Sequence, residues 1–258
     1  MDYDTLGYEV KNDVAVVRMN RPDVMNALNT QMRAELTDAF KRAGSEARVA
    51  VLTGSGKSFC SGQDLGDRAT LANLDLERVL RDEYVPMLRA IIDCPVPTIS
   101  AVNGAAAGAG ANLALSADVV VAAESAFFTQ AFTRIGLIPD AAGTWFLPRQ
   151  VGMARAMGAA LFAERIEARK AEAWGMIWEA VPDDRFEDVW MGRAAHLAQG
   201  PTAAYSRVKQ ALRASFDNTL DQQLSLESEL QGQCGQTRDF KEGVVAFLEK
   251  RAARYEGR

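Results

Sequence analysis

Histidine occurs once in this chain, at His196, and cysteine three times, at Cys60, Cys94 and Cys234. Three thiols with no CxxC pair cannot build a disulfide framework, so they read as buried free thiols of a reducing compartment. No metal cluster can be assembled around a lone histidine, and His196 falls in the helical pattern 186–198 as a surface or half-buried side chain. Charge of one sign is never bunched: the net charge of -5 is spread along the chain, which argues against nucleic acid or a membrane surface as partner. The opening Met1-Asp2-Tyr3-Asp4 has neither basic leader nor apolar core, so export is not expected and a cytoplasmic location is. The longest apolar run, 104–123, is interrupted by Asn112 and Asp118 and reads as a buried helix followed by a strand, not a membrane span. Low-complexity tracts and regular repeats are missing as well.

What remains is an ordinary globular composition, 48% hydrophobic and 24% charged over 258 residues, enough for one compact domain with a terminal appendage. Residues 14–19 and 49–53 read as short buried strands, and 30–43 as a helix carrying Met32, Leu36, Ala39 and Phe40 at helical spacing, with Thr30 as its cap. A second helical pattern spans 76–92 and ends before Pro95 and Pro97; a strand follows at 98–102. A small-residue turn at 103–110, a short helix at 111–116, and strands at 119–122 and 127–132 continue the alternation, which implies stacked β-α units. From Pro201 onward every pattern is helical, at 202–215, 220–230 and 239–254. Trp174 and Trp178 are expected to pack.

Two Gly-rich turns each follow a short buried strand: Ser61-Gly62-Gln63-Asp64, and Gly104 through Gly108-Ala109-Gly110. Small residues let a ligand come close to the backbone, and free N–H groups there stabilise developing negative oxygen, most of all at a helix N-terminus. Glycines that merely permit tight turns would give the same spacing. The dinucleotide fingerprint fails, because position 113 is leucine, and no GxxxxGK[ST] occurs.

Several motifs in order then resemble the crotonase, or enoyl-CoA hydratase/isomerase, superfamily. Asn20 through Leu28 resembles its N-terminal CoA loop, Phe59-Cys60-Ser61-Gly62-Gln63-Asp64-Leu65 and Ala101 through Gly110 its two oxyanion segments, and Ile138 through Thr144 the loop after the catalytic strand. The resemblance implies a crotonase-type α/β fold, with a spiral of ββα units over 1–200 and a C-terminal helical trimerisation region over 201–258, assembling as a homotrimer or hexamer. It implies an acyl-CoA thioester substrate and no cofactor, coenzyme A being part of the substrate. The backbone N–H groups of Gln63 and Ala109 would form an oxyanion hole. Val24, Ser61, Gly62, Asp64, Leu65 and Gly108 would lie along the substrate, joined by Phe132 and Trp145 at the acyl pocket and by Phe247 and Lys250 from the last helix.

The acid/base residues depart from the hydratase pattern of that superfamily. The motifs put Asn112 and Phe132 where hydratases carry two glutamates, and neither side chain can transfer a proton. Asp140 is the carboxylate that remains, with a pKa expected to rise in an apolar pocket beside Phe132; capping the helix after it is its structural alternative. A single base suffices for isomerisation. Residues 135–149 and 173–178 further resemble the isomerase branch that acts on 1,2-epoxyphenylacetyl-CoA and shifts enoyl-CoA double bonds. A hydratase, and a non-catalytic acyl-CoA- or RNA-binding homologue, are the alternatives. The acyl-pocket walls are expected partly from 67–85.

Overall fold

The computed structural model describes residues 3–66 and 75–257. Strands β1 (Leu6–Lys11), β2 (Val14–Met19), β3 (Val49–Gly54), β5 (Thr98–Val102), β7 (Val119–Ala123) and β10 (Glu179–Val181) make one sheet in the order β1-β2-β3-β5-β7-β10. Only β1 pairs antiparallel in it; the other neighbours are parallel. β3 and β5 are buried at every position, which is why they read as continuous apolar runs. A second sheet stacks short strands in the order β4 (Ser58–Cys60), β6 (Ala105–Ala107), β8 (Phe127–Thr129), β9 (Ile166–Glu167).

The turns of the spiral that start at β3, β5 and β7 run from a longer strand to a short strand to a helix. α1 (Thr30–Glu46) precedes β3; α2 (Leu76–Val79) and α3 (Val85–Ile92) follow β4; α4 (Ala109–Leu115) follows β6. Between α2 and α3 the helix does not break. Residues Leu80–Tyr84 form one π turn in which Val85 N–H donates to Leu80 O, a widening that admits Pro86, which has no N–H of its own to donate. α5 (Gly143–Val151), α6 (Met153–Phe162), α7 (Ala168–Ala173) and α8 (Phe186–Ala198) complete the core layer.

From Thr202 on, every regular element among the described residues is helical: α9 (Thr202–Ala214), α10 (Leu220–Gly235) and α11 (Arg238–Glu249). An ionic anchor docks α9 on the core, where Asp118 accepts from Lys209 Nζ and Arg213 Nη2, both at 2.7 Å. Among the described residues no helix is long and apolar enough to cross a membrane.

Several local expectations are corrected. The cap of α1 is Asn29, whose side chain accepts from Met32 N–H, and not Thr30. The turn at 103–110 contains β6, recruited by pairing with β4. Strand 127–132 stops at Thr129, because residues Ala131–Ile135 coil into a 3-10 turn closed by left-handed Gly136. The last helix ends at Glu249 instead of running to 254, since Lys250 turns left-handed. Trp174 is half-buried, but Trp178 is 65% exposed and packs little. Cys60 and Cys94 are buried free thiols; Cys234 is only half-buried.

Candidate active site

Parallel pairing of β4 with β6 makes the loops that leave them emerge side by side. In the first loop, Leu28 bridges Gln63: Leu28 N–H donates to Gly62 O at 2.8 Å and Asp64 N–H to Leu28 O at 3.2 Å. Alternation along an extended chain then turns the Gln63 N–H to the opposite side. The second loop reaches Gly108, whose N–H donates to Thr129 O at 2.9 Å, and α4 starts at Ala109, leaving the Ala109 N–H among the unpaired donors of a helix start. The two loops touch at glycines. A Cβ on Gly62, which sits at φ +94, would lie 2.8 Å from Ala107 O and 3.3 Å from Ala109 N; one on Gly110 would lie 2.2 Å from Cys60 O.

Both loops open on a cavity of about 280 Å³ lined by Ser61, Gly62, Gln63, Leu65, Gly108, Ala109, Phe132 and Asp140, with Leu76, Val79, Leu80 and Tyr84 from the helix opposite. The structure thus brings together eight of the residues marked in the sequence. Among the described residues Asp140 is the one carboxylate on this lining. Its Oδ1 is buried with no hydrogen-bond partner among the described residues, and burial pushes its carboxyl up to about 6, against the lowering effect of its own backbone N–H. It is not the cap of α5, whose N-cap is Ala142 without a side-chain bond. A carboxyl poised near 6 beside two converging backbone donors can move a proton next to a carbonyl whose oxygen those donors hold.

Val24 and Asp64 stand just outside. Ser61 Oγ donates to Val24 O at 3.4 Å. Asp64 pairs with Arg21 at 2.8 Å; burial would raise its carboxyl, but the Arg21 bond and Gly66 N–H outweigh that and hold it below the ordinary range. Trp145 lines an adjoining hollow of about 680 Å³ that shares Leu80, Tyr84 and Asp140 with the first. Phe247 and Lys250 are not brought to either. Phe247 is 82% exposed on α11, along a separate groove with Val208 and Val244, and Lys250 caps that helix. His196 is exposed on α8.

Sequence reasoning missed the support of Gln63. Its Oε1 accepts from Tyr84 OH at 2.6 Å and from Arg33 Nη1 at 3.1 Å. Arg33 is buried, pairs with Glu83 at 2.6 Å, and lies over the Tyr84 ring with 4.9 Å from its guanidinium carbon to the ring centre. Burial raises the Tyr84 phenol, Arg33 opposing and Asp140 reinforcing it. The signal was an arginine inside the apolar face of α1. Of the wall expected from 67–85, residues 67–74 lie outside the described residues.

A spiral of ββα turns presenting two backbone donors over one pocket is the crotonase fold. The enoyl-CoA hydratase/isomerase family model matches residues 9–258. A Rhodobacter capsulatus protein named a probable enoyl-CoA hydratase is 64% identical over the whole of both chains. The 1,2-epoxyphenylacetyl-CoA isomerase of Escherichia coli K12 is 44% identical, over 96% of this chain and 97% of its own. A solved structure from Mycobacterium abscessus, described as of the hydratase/isomerase type, superposes with a TM-score of 0.93 at 38% identity, over 98% of this chain and all of that one. The chain belongs to the enoyl-CoA hydratase/isomerase family.

Proposed function

We propose that this protein is a cofactor-free acyl-CoA isomerase that acts on 1,2-epoxyphenylacetyl-CoA, on enoyl-CoA thioesters whose double bond it shifts, or on both. The observation that carries this reading is that, among the described residues, Asp140 is the only carboxylate lining the cavity where the two donor loops meet. The thioester oxygen accepts from the N–H groups of Gln63 and Ala109. In the double-bond shift, ionised Asp140 removes a proton from the substrate, the electron pair delocalises onto that oxygen, and the protonated carboxyl returns the proton at a different carbon. Each donor contributes about 3 kcal/mol to the enolate-like transition state, and the base about 10²- to 10⁴-fold in rate. The 44% identity to a named epoxyphenylacetyl-CoA isomerase supports the substrate class.

The exposed apolar residues Leu212, Phe216, Leu220, Leu224 and Phe247 of the C-terminal helices support self-association as a trimer or hexamer, which would offer Phe247 and Lys250 to a neighbouring subunit's cleft. Sedimentation at micromolar concentration tests this, and a monomer would refute it.

The test of activity is to supply 3-enoyl-CoA and 2-enoyl-CoA separately and resolve the products by chromatography. Interconversion by the wild type, lost in Asp140→Asn, is the expected result; if neither isomer reacts, the aromatic epoxide is supplied next, and no turnover of any of them ends this reading. The hydratase reading draws on the name of the Rhodobacter relative. Formation of 3-hydroxyacyl-CoA as sole product would establish it.

A further inference from the structure

Asn112 replaces an expected glutamate, yet its side chain is fully engaged. It is completely buried; its Nδ2 donates to the backbone carbonyl of Asp140 at 2.8 Å, and its Oδ1 accepts from Gln130 Nε2 at 2.8 Å. The Asp140 carbonyl fixes the amide, because it can only accept and so must meet the NH2 end, which leaves Oδ1 to accept from Gln130. That loop needs holding. Ala141 and Ala142 are consecutive alanines at φ 47 and 64, each costing on the order of 1 kcal/mol in a left-handed conformation. Asp140 O accepts a second bond from Gly143 N–H at 2.8 Å. A Cβ on Gly143 would lie 2.2 Å from Asn112 Nδ2, so glycine at 143 is what admits the amide beneath the turn.

We infer that Asn112, braced by Gln130, is a positioning residue: it clamps the strained 139–142 loop and thereby keeps the Asp140 carboxyl inside the donor cavity. The consequence for turnover rests on the isomerase reading; the clamp itself does not. The amide explains why a carboxylate is absent at this position. Ionised, a carboxylate there would present an acceptor to the Asp140 carbonyl, and the loop would lose its strap instead of the site gaining a base.

The experiment compares wild type, Asn112→Leu and Asn112→Asp by two readouts: titration of the Asp140 carboxyl by carbon NMR without substrate, assigned by its loss in Asp140→Asn, and the pH dependence of isomerisation. In Asn112→Leu the freed loop exposes the carboxyl, so its pKa falls from about 6 toward the ordinary value of about 4, and the acid limb of kcat/KM moves down with it. The expected kcat loss is about 10²-fold with KM within about threefold, as for a displaced catalytic group. Asn112→Asp keeps the shape and the Gln130 bond but swaps donor for acceptor; it loses kcat similarly, while the added like charge moves the acid limb up. Gln130→Leu follows Asn112→Leu with a smaller effect. Unchanged titration, kcat and acid limb in folded Asn112 variants would overturn the clamp and leave the isomerase reading intact. A shifted titration in a protein that isomerises nothing would uphold the clamp and end that reading.

Discussion

The two walls of the cleft are made of different material. On one, the donors in the proposed reaction are backbone N–H groups at Gln63 and Ala109, on loops held by the pairing of β4 with β6 and by glycines that allow the loops to touch. On the other, the proposed chemistry hangs on one side chain, Asp140, carried by a strained loop. Apart from its glycines, the first wall should tolerate exchange of its side chains, because none of them acts in that reaction; the second should not. In the proposed reaction the carboxylate wall then decides which reaction runs, while the donor wall would serve any thioester carbonyl.

The sharpest break of this contrast is Asp140→Asn. It should lower turnover about 10³-fold, the scale of a lost general base, while calorimetry still detects acyl-CoA binding; retained turnover would end the distinction between the walls. Next comes the donor wall attacked through its backbone. Gly110→Ala puts a Cβ against Cys60 O at 2.2 Å, forcing the turns apart, and should cost about 10²-fold in kcat, the scale of one displaced donor. The third is thermodynamic. Burial raises the Asp140 carboxyl to about 6 in the folded chain, against about 3.9 unfolded, so the folded state holds this proton while the unfolded state has lost it. Stability then declines as pH rises from about 4 to 6 and stays reduced above. Asp140→Asn should accordingly be more stable than wild type at pH 8 by about 2 kcal/mol, allowing for partial exposure, with the gain fading toward pH 4 in urea titrations. The smallest effects belong to the side chains behind the donors: Gln63→Ala, which keeps its N–H, and Tyr84→Phe, which loses the 2.6 Å bond to Gln63 Oε1, should each change kcat less than about tenfold. A larger loss in either would show that the backbone wall leans on its side chains after all.

The β3 and β5 strands, α1 and the 76–92 helix were legible because each is a long apolar or helically spaced run, and the two Gly-rich turns because glycine there answers to close backbone contact. β6 was not legible: three alanines have weak strand preference, and only pairing with β4 and β8 makes them a strand. The positions of Asp140 and Phe132 on the cavity followed from motif order. The buried Arg33–Glu83 pair and the Gln130–Asn112–Asp140 chain did not, since each joins elements distant in sequence. Phe247 and Lys250 lie on the last helix, away from the cleft of their own chain, a separation that one chain's sequence does not encode.

The π turn at Leu80–Tyr84 is in effect an extra residue stored inside a continuous helix. Closing it with the residue retained would restore α-helical bonding and rotate α2 by about 100° relative to α3. Leu76 and Val79 would swing off the cavity, while Met87 and Ile91 kept their places in the core. The bulge thus sets which side chains of α2 face the cavity, whereas one codon lost there would remove the bulge and leave that wall as it stands.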